Sequence, residues 1–162
     1  MWIQDLKFGT IGEKTVCKRL SNQFDWQYHS HSSQRDKNFD LKFSDGFYTI
    51  VNVEKIYQTI TVEVKTDQDY FTRGHDTGNM VIEVSCRDIP SGPLHGTSDY
   101  LAYYYPFNNE IWFIKIDKLK RLMQENYTRR VRGGDRTIEY PNGKCWMYLI
   151  EREKYRNEFT II

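Results

Sequence analysis

Thr61-Val62-Glu63-Val64-Lys65-Thr66-Asp67 is the stretch on which the reading of this chain turns. It alternates as a β-strand does. Successive side chains point to opposite faces, so Val62 and Val64 share one face while Thr61, Glu63, Lys65 and Asp67 share the other. The valines suit a sheet. An acid and a base two residues apart on the other face fit either an edge strand with a solvated surface or half of a site that uses both charges. Taken alone, such a string favours the solvated edge. The choice depends on which other residues the chain can bring to it.

Two acids upstream answer. Asp40 lies between Phe39 and Leu41 in an alternating segment, residues 39–43, and a strand there could pair back toward Glu63. Glu13 precedes Val16, Cys17 and Leu20 by three, four and seven residues, so on a helix it stands on the apolar stripe that faces the sheet. An acid near a helix start is ordinary, because the helix dipole favours it. An acid turned toward a sheet is not, because an unpaired buried carboxylate is costly. A divalent cation would satisfy Glu13, Asp40 and Glu63 together. Oxygen-only donors select a hard ion such as Mg²⁺ or Mn²⁺ rather than zinc. Lys65 would be the cationic member of that site, with its pKa depressed by burial beside a metal.

These residues resemble the PD-(D/E)xK nuclease superfamily. The resemblance rests on Phe39-Asp40, on Glu63-Val64-Lys65 and on the preceding helix acid Glu13. It is similar above all to small phage and bacterial members, including Holliday-junction-resolvase-like endonucleases. Phe39 stands where many members carry proline. The motif covers about the first 70 residues, and Thr77 to Glu83 and Ser91 to Tyr100 look similar to segments of phage-type members. The resemblance implies a restriction-endonuclease-like core and a Mg²⁺-dependent endodeoxyribonuclease. Asp40, Glu63, Glu13 and the Val64 carbonyl would hold the metal, and Lys65 would be catalytic. DNA is the implied partner, branched or phage DNA included, and a paired cut would need a homodimer.

The remainder of the chain sets the frame. Its 162 residues suit one domain, here 1–162, with a net charge of +1 and no low-complexity tract. No apolar run reaches the roughly 20 residues of a membrane span. Met1-Trp2-Ile3-Gln4-Asp5 lacks the features of a signal peptide, so a cytoplasmic protein is expected. Three scattered cysteines, Cys17, Cys86 and Cys145, fit free thiols better than a disulfide framework or a zinc site.

The spacing predicts a helix over residues 5–22, weakened by Gly9 and Gly12, then a polar loop over 29–37. Asp45-Gly46 signals a hairpin turn, with 47–53 as the returning strand and 58–66 as a third. Residues 68–78 read as loop or lid, 79–86 as a strand, and 99–105 with 110–116 as a hairpin. A helix over 118–125 capped by Asp117 and a last strand over 145–150 complete an α+β fold around one mixed sheet flanked by helices.

Other features weigh less. Glu83 reads as an accessory site residue or the partner of an arginine. His29 and His31 read as solvated. Tyr100, Tyr103, Tyr104 and Tyr105 read as sheet packing rather than base stacking. Arg129, Arg130, Arg132 and Arg136, in a basic glycine-containing loop, are the candidates for nucleic-acid backbone contact. The alternative function is a catalytically silent nuclease-fold protein that binds nucleic acid or a protein partner. A structural protein with a solvated edge strand comes third, and it requires Asp40 and Glu63 to lie far apart.

Overall fold

The computed structural model describes residues 2–31, 39–51, 54–68, 74–87, 89–125, 129–134 and 144–162. Helix α1, Trp2–Phe24, presents Val16 and Leu20 as a fully buried stripe, as its spacing predicts. Then come β1 (Gln27–His31), β2 (Leu41–Val51), β3 (Glu54–Thr66), β4 (Asn79–Cys86), β5 (Ile89–Pro90), β6 (Tyr100–Tyr105) and β7 (Glu110–Lys115). After them come α2 (Ile116–Glu125), β8 (Arg129–Gly134), β9 (Lys144–Glu151), a short 3₁₀ helix (Glu153–Glu158) and β10 (Thr160–Ile161).

The expected α+β fold with a mixed sheet is present. A six-stranded sheet runs β1-β2-β3-β6-β7-β10, all pairs antiparallel except β3 with β6. The parallel pair needs a crossover, and the chain makes it through β4 and β5. Those strands belong to a second sheet, β5-β4-β9-β8, so the expectation of a single sheet is corrected.

The large sheet divides two cores. On one face α1 supplies Val16 and Leu20 to Leu41, Phe43, Val62, Val64, Ala102 and Phe113. On the other face Leu101, Tyr103, Tyr105, Trp112 and Ile114 meet Met80 and Ile82 of β4, Ile150 of β9 and Leu119 of α2. Strands β6 and β7 are therefore buried from both sides and read as nearly unbroken apolar runs. The tyrosines of β6 pack in the sheet as expected.

Several local expectations are revised. Asp45-Gly46 is not a hairpin turn. Strand β2 continues through it, and the register slips between Ser44 and Tyr48. Gly46 has φ +83°, and Asp45 Oδ1 accepts a 3.1 Å bond from the Phe47 N–H, so the same residues that favour a turn make a bulge here. Residues 47–51 accordingly extend β2 instead of forming a returning strand, and β3 begins at Glu54. His29 lies in strand β1 rather than a loop, and its Nε2 is 2.9 Å from Ser44 Oγ. The basic segment expected as a loop forms β8 over Arg129–Gly134, paired with β9. Arg136 lies outside the described residues.

Cys86 and Cys145 face each other across β4 and β9 and are joined as a disulfide, which corrects the expectation of three free thiols. Cys17 is the free cysteine, its thiol pKa raised by burial. No helix among the described residues is long and apolar enough to cross a membrane.

Candidate active site

Strand β3 is an interior strand, with β2 on one side and β6 on the other, so a solvated-edge reading of Glu63 and Lys65 does not hold. Among the described residues no further strand intervenes between β2 and β3. The β2–β3 pairing sets Leu41 opposite Val62, and Asp40, just ahead of Leu41, donates its N–H to the Val62 carbonyl at 3.1 Å. The Asp40 carboxylate then turns onto β3, where Oδ2 accepts the Val64 N–H at 2.7 Å. Asp40, immediately ahead of β2, and Glu63 on the adjacent strand β3 therefore stand near each other.

On β3, Lys65 Nζ lies 2.6 Å from Glu63 Oε1. The Glu63 side chain is mostly covered, whereas that of Lys65 is about two-fifths exposed at 40 %. Burial pulls the Lys65 ammonium down, but the charge and hydrogen bond of Glu63 and the charges of Asp40 and Glu83 outweigh it, so its pKa is raised. The depressed value expected from the sequence concerns Lys65 beside a bound metal; in the chain without metal the direction is upward. Three carboxylates hold the proton on Lys65.

Asp40 shows the opposite balance. Burial is the largest influence and the Glu63 charge adds to it, with Glu13 contributing least. The Val64 N–H and Lys65 pull the other way, and the carboxyl ends at about 6, up from 3.8. Glu13 reaches the group from α1, which packs on β3 at an unusually close approach. Gly12 is buried there, and a Cβ on it would meet Thr66 Oγ1 well inside contact distance and Thr66 Cβ at 3.1 Å. Asp40, Glu63 and Glu13 offer only oxygen donors, the kind that suits a hard divalent cation. Among the described residues, however, their carboxylates do not close to within 4.8 Å of one another as the ligand atoms of Glu83, Cys86 and Cys145 do. Val64 meets Asp40 through its N–H, with its carbonyl as a further oxygen on the same strand.

Asp99 is a positioning residue that sequence reasoning missed. Its Oδ2 accepts both the Thr61 N–H and the Thr61 hydroxyl at 2.8 Å, and the Asp99 N–H donates to the Thr61 carbonyl at 3.0 Å. These bonds lock the start of the Thr61–Lys65 stretch to the entry of β6. The only local signal was an aspartate directly ahead of a strand.

Glu83 sits on β4, and its charge helps raise Lys65, but its carboxylate stands with the sulfurs of Cys86 and Cys145. Arg129, Arg130 and Arg132 have their backbone in β8. A cavity of about 630 Å³ opens beside the middle of β3, at Thr59, Asp99 and Lys115, and none of Glu13, Asp40, Glu63 or Lys65 lines it.

No family model matches the chain, and no curated protein matches it. Among solved structures, that of a bacterial homing endonuclease, I-Ssp6803I, is similar at 19% sequence identity with a TM-score of 0.45, the alignment covering 68% of each chain.

Proposed function

We propose that this chain is a divalent-metal-dependent endonuclease that hydrolyses phosphodiester bonds in DNA. The observation that carries the reading is the meeting of Asp40, at the entry of β2, with the interior strand β3 that bears Glu63 and Lys65, where the Val64 N–H holds the Asp40 carboxylate at 2.7 Å. The order of Asp40, Glu63 and Lys65 along the chain, on which the resemblance to the PD-(D/E)xK nucleases rests, supports this reading. Asp40, Glu63, the Val64 carbonyl and Glu13 would hold Mg²⁺ or Mn²⁺. The chemistry such an ion supplies there is polarisation of a phosphoryl oxygen and activation of a water.

The protein's own groups do the rest. A protonated Lys65 would place a positive charge where negative charge gathers on the phosphate during in-line attack. Glu63 fixes the Lys65 ammonium at 2.6 Å, so little reorganisation is needed at the moment of reaction. Asp99 holds the strand that carries both. The arginines of β8 supply DNA-backbone contact in this reading, and two copies of the chain would be needed for a paired cut.

The test is nicking of supercoiled plasmid in Mg²⁺, with single-stranded and four-way-junction DNA as companion substrates. Lys65→Ala and Glu63→Ala should each lower the rate by about 100-fold or more. Variants that cut as fast as wild type would remove the assignment. Wild type that binds DNA but cuts none of the three substrates would instead support the silent binding protein.

A further inference from the structure

The second sheet carries, beside Glu83, a pair of cysteines that the nuclease reading does not use. Cys86 of β4 and Cys145 of β9 are register partners, with Cα atoms 4.1 Å apart. In an unbroken strand Glu83 would point away from Cys86, because residues three apart fall on opposite faces. The β4–β9 register slips between Glu83 and Ser85. That extra residue returns Glu83 to the face of Cys86, a common use of a bulge. One carboxylate oxygen and the two sulfurs consequently lie within 4.8 Å of one another.

The bulge is buttressed from outside. Ser91 donates its N–H to the Val84 carbonyl at 3.0 Å, and Gly92, at φ +75°, lies so close that a Cβ there would stand 2.9 Å from the Glu83 carbonyl carbon. Only glycine meets both demands at position 92.

We propose that Glu83, Cys86 and Cys145 form a binding site for a thiophilic divalent cation, Zn²⁺ foremost, with the Cys86–Cys145 disulfide as its oxidised, metal-free state. Two thiolates and one carboxylate occupy three corners of a tetrahedron and leave the fourth to water, a donor set zinc accepts readily. Soft sulfur donors separate this site from the all-oxygen group around Asp40, so Zn²⁺ and Mg²⁺ would not compete for it. Passage between the states is balanced. A dithiol delivers two electrons and two protons to the S–S bond and closes to its own disulfide. Zn²⁺ binding then displaces the two thiol protons. Either state ties β4 to β9, but only the reduced one holds metal.

The proposal is independent of DNA cleavage, and so is its test. The full chain, reduced with a phosphine, is titrated with Co²⁺ alone. One equivalent should produce a thiolate-to-cobalt charge-transfer band that Zn²⁺ abolishes and excess Mg²⁺ leaves intact, and the oxidised chain should show none. Cys86→Ser and Cys145→Ser should each lose the band. Glu83→Gln should keep it with affinity lowered at least about tenfold. No band in the reduced wild type, a band surviving either serine variant, or unchanged affinity in Glu83→Gln overturns the site. Alkylation of the reduced wild type gives a second measurement that needs no variant. Zn²⁺ should protect Cys86 and Cys145 from iodoacetamide but not Cys17, and equal labelling of all three with and without Zn²⁺ overturns the proposal.

Discussion

Asp40 has two opposing consequences, one for folding and one for the site. Its carboxyl ionises near 3.8 when exposed and at about 6 in the folded chain. The sign follows from linkage. A raised carboxyl favours folding while it is protonated, so the penalty is absent below pH 4, grows between pH 4 and pH 6, and is constant above. In the metal-free protein at pH 7 that penalty amounts to at most about 3 kcal/mol, less where water reaches the group. Asp40→Asn keeps an oxygen for the Val64 N–H and removes the charge. The variant should therefore be more stable than wild type at pH 7 without metal, by about 1–3 kcal/mol in urea unfolding, and no more stable at pH 4. Mg²⁺ should stabilise the wild type and leave the variant unmoved. Equal stability at both pH values would sink this account of Asp40. Asp40, Glu63 and Lys65 were legible in the sequence because strand alternation and motif order are local. The upward pKa of Lys65 was not, because besides its strand neighbour Glu63 it depends on Asp40 and Glu83 arriving from other parts of the chain.

At the scale of elements, the contact of α1 with β3 positions Glu13. Glycine costs a helix about 1 kcal/mol relative to alanine, so on propensity alone Gly12→Ala should stabilise α1. The structure reverses the sign, because the added methyl group meets Thr66. Gly12→Ala is expected to destabilise the protein by about 1–3 kcal/mol through forced separation of helix and strand. Nicking should fall further than stability does, because Glu13 is the adjacent residue. Thr66→Ala in the same chain should restore part of both losses, and a double-mutant cycle in urea and in the plasmid assay measures the coupling. Additive effects would show that Gly12 and Thr66 do not press on each other. Local signals misread other elements for a related reason. Asp45-Gly46 carries turn chemistry, but pairing of β2 with β3 on both sides of it makes a bulge the only way to accommodate the extra residues. Residues 129–134 look like a basic loop until β9 offers them a partner.

Across the whole molecule, one buried cation links distant parts. Arg152, at the end of β9, is 5 % exposed. It pairs with Asp76 and lies over the Tyr105 ring, 4.1 Å from its centroid. Its backbone N–H also donates to the Gly78 carbonyl at 3.0 Å. The residues ahead of β4, the end of β9 and the aromatic core of β6 and β7 thus meet on one side chain. Arg152→Ala should cost about 2–4 kcal/mol in chemical denaturation, since it leaves Asp76 without this partner and removes the guanidinium from the aromatic stack. Asp76→Asn in the Arg152→Ala background should recover part of the loss. A cost below about 0.5 kcal/mol would show that this cation is not what joins the segments.

Alternation, helical spacing and motif order are properties of neighbouring residues, so strands β3, β4, β6, β7 and β9, the apolar stripe of α1 and the α+β class show in the sequence, whereas β1, β8 and the run of β2 through Asp45-Gly46 do not. Tertiary structure alone decided that β3 lies in the interior, that the chain builds a second sheet, that Cys86 meets Cys145, and that Gly12 and Asp99 hold the motif in place. Those outcomes depend on which strand pairs with which. That choice is made by burying both faces of the large sheet at once, a condition no single stretch of the chain encodes.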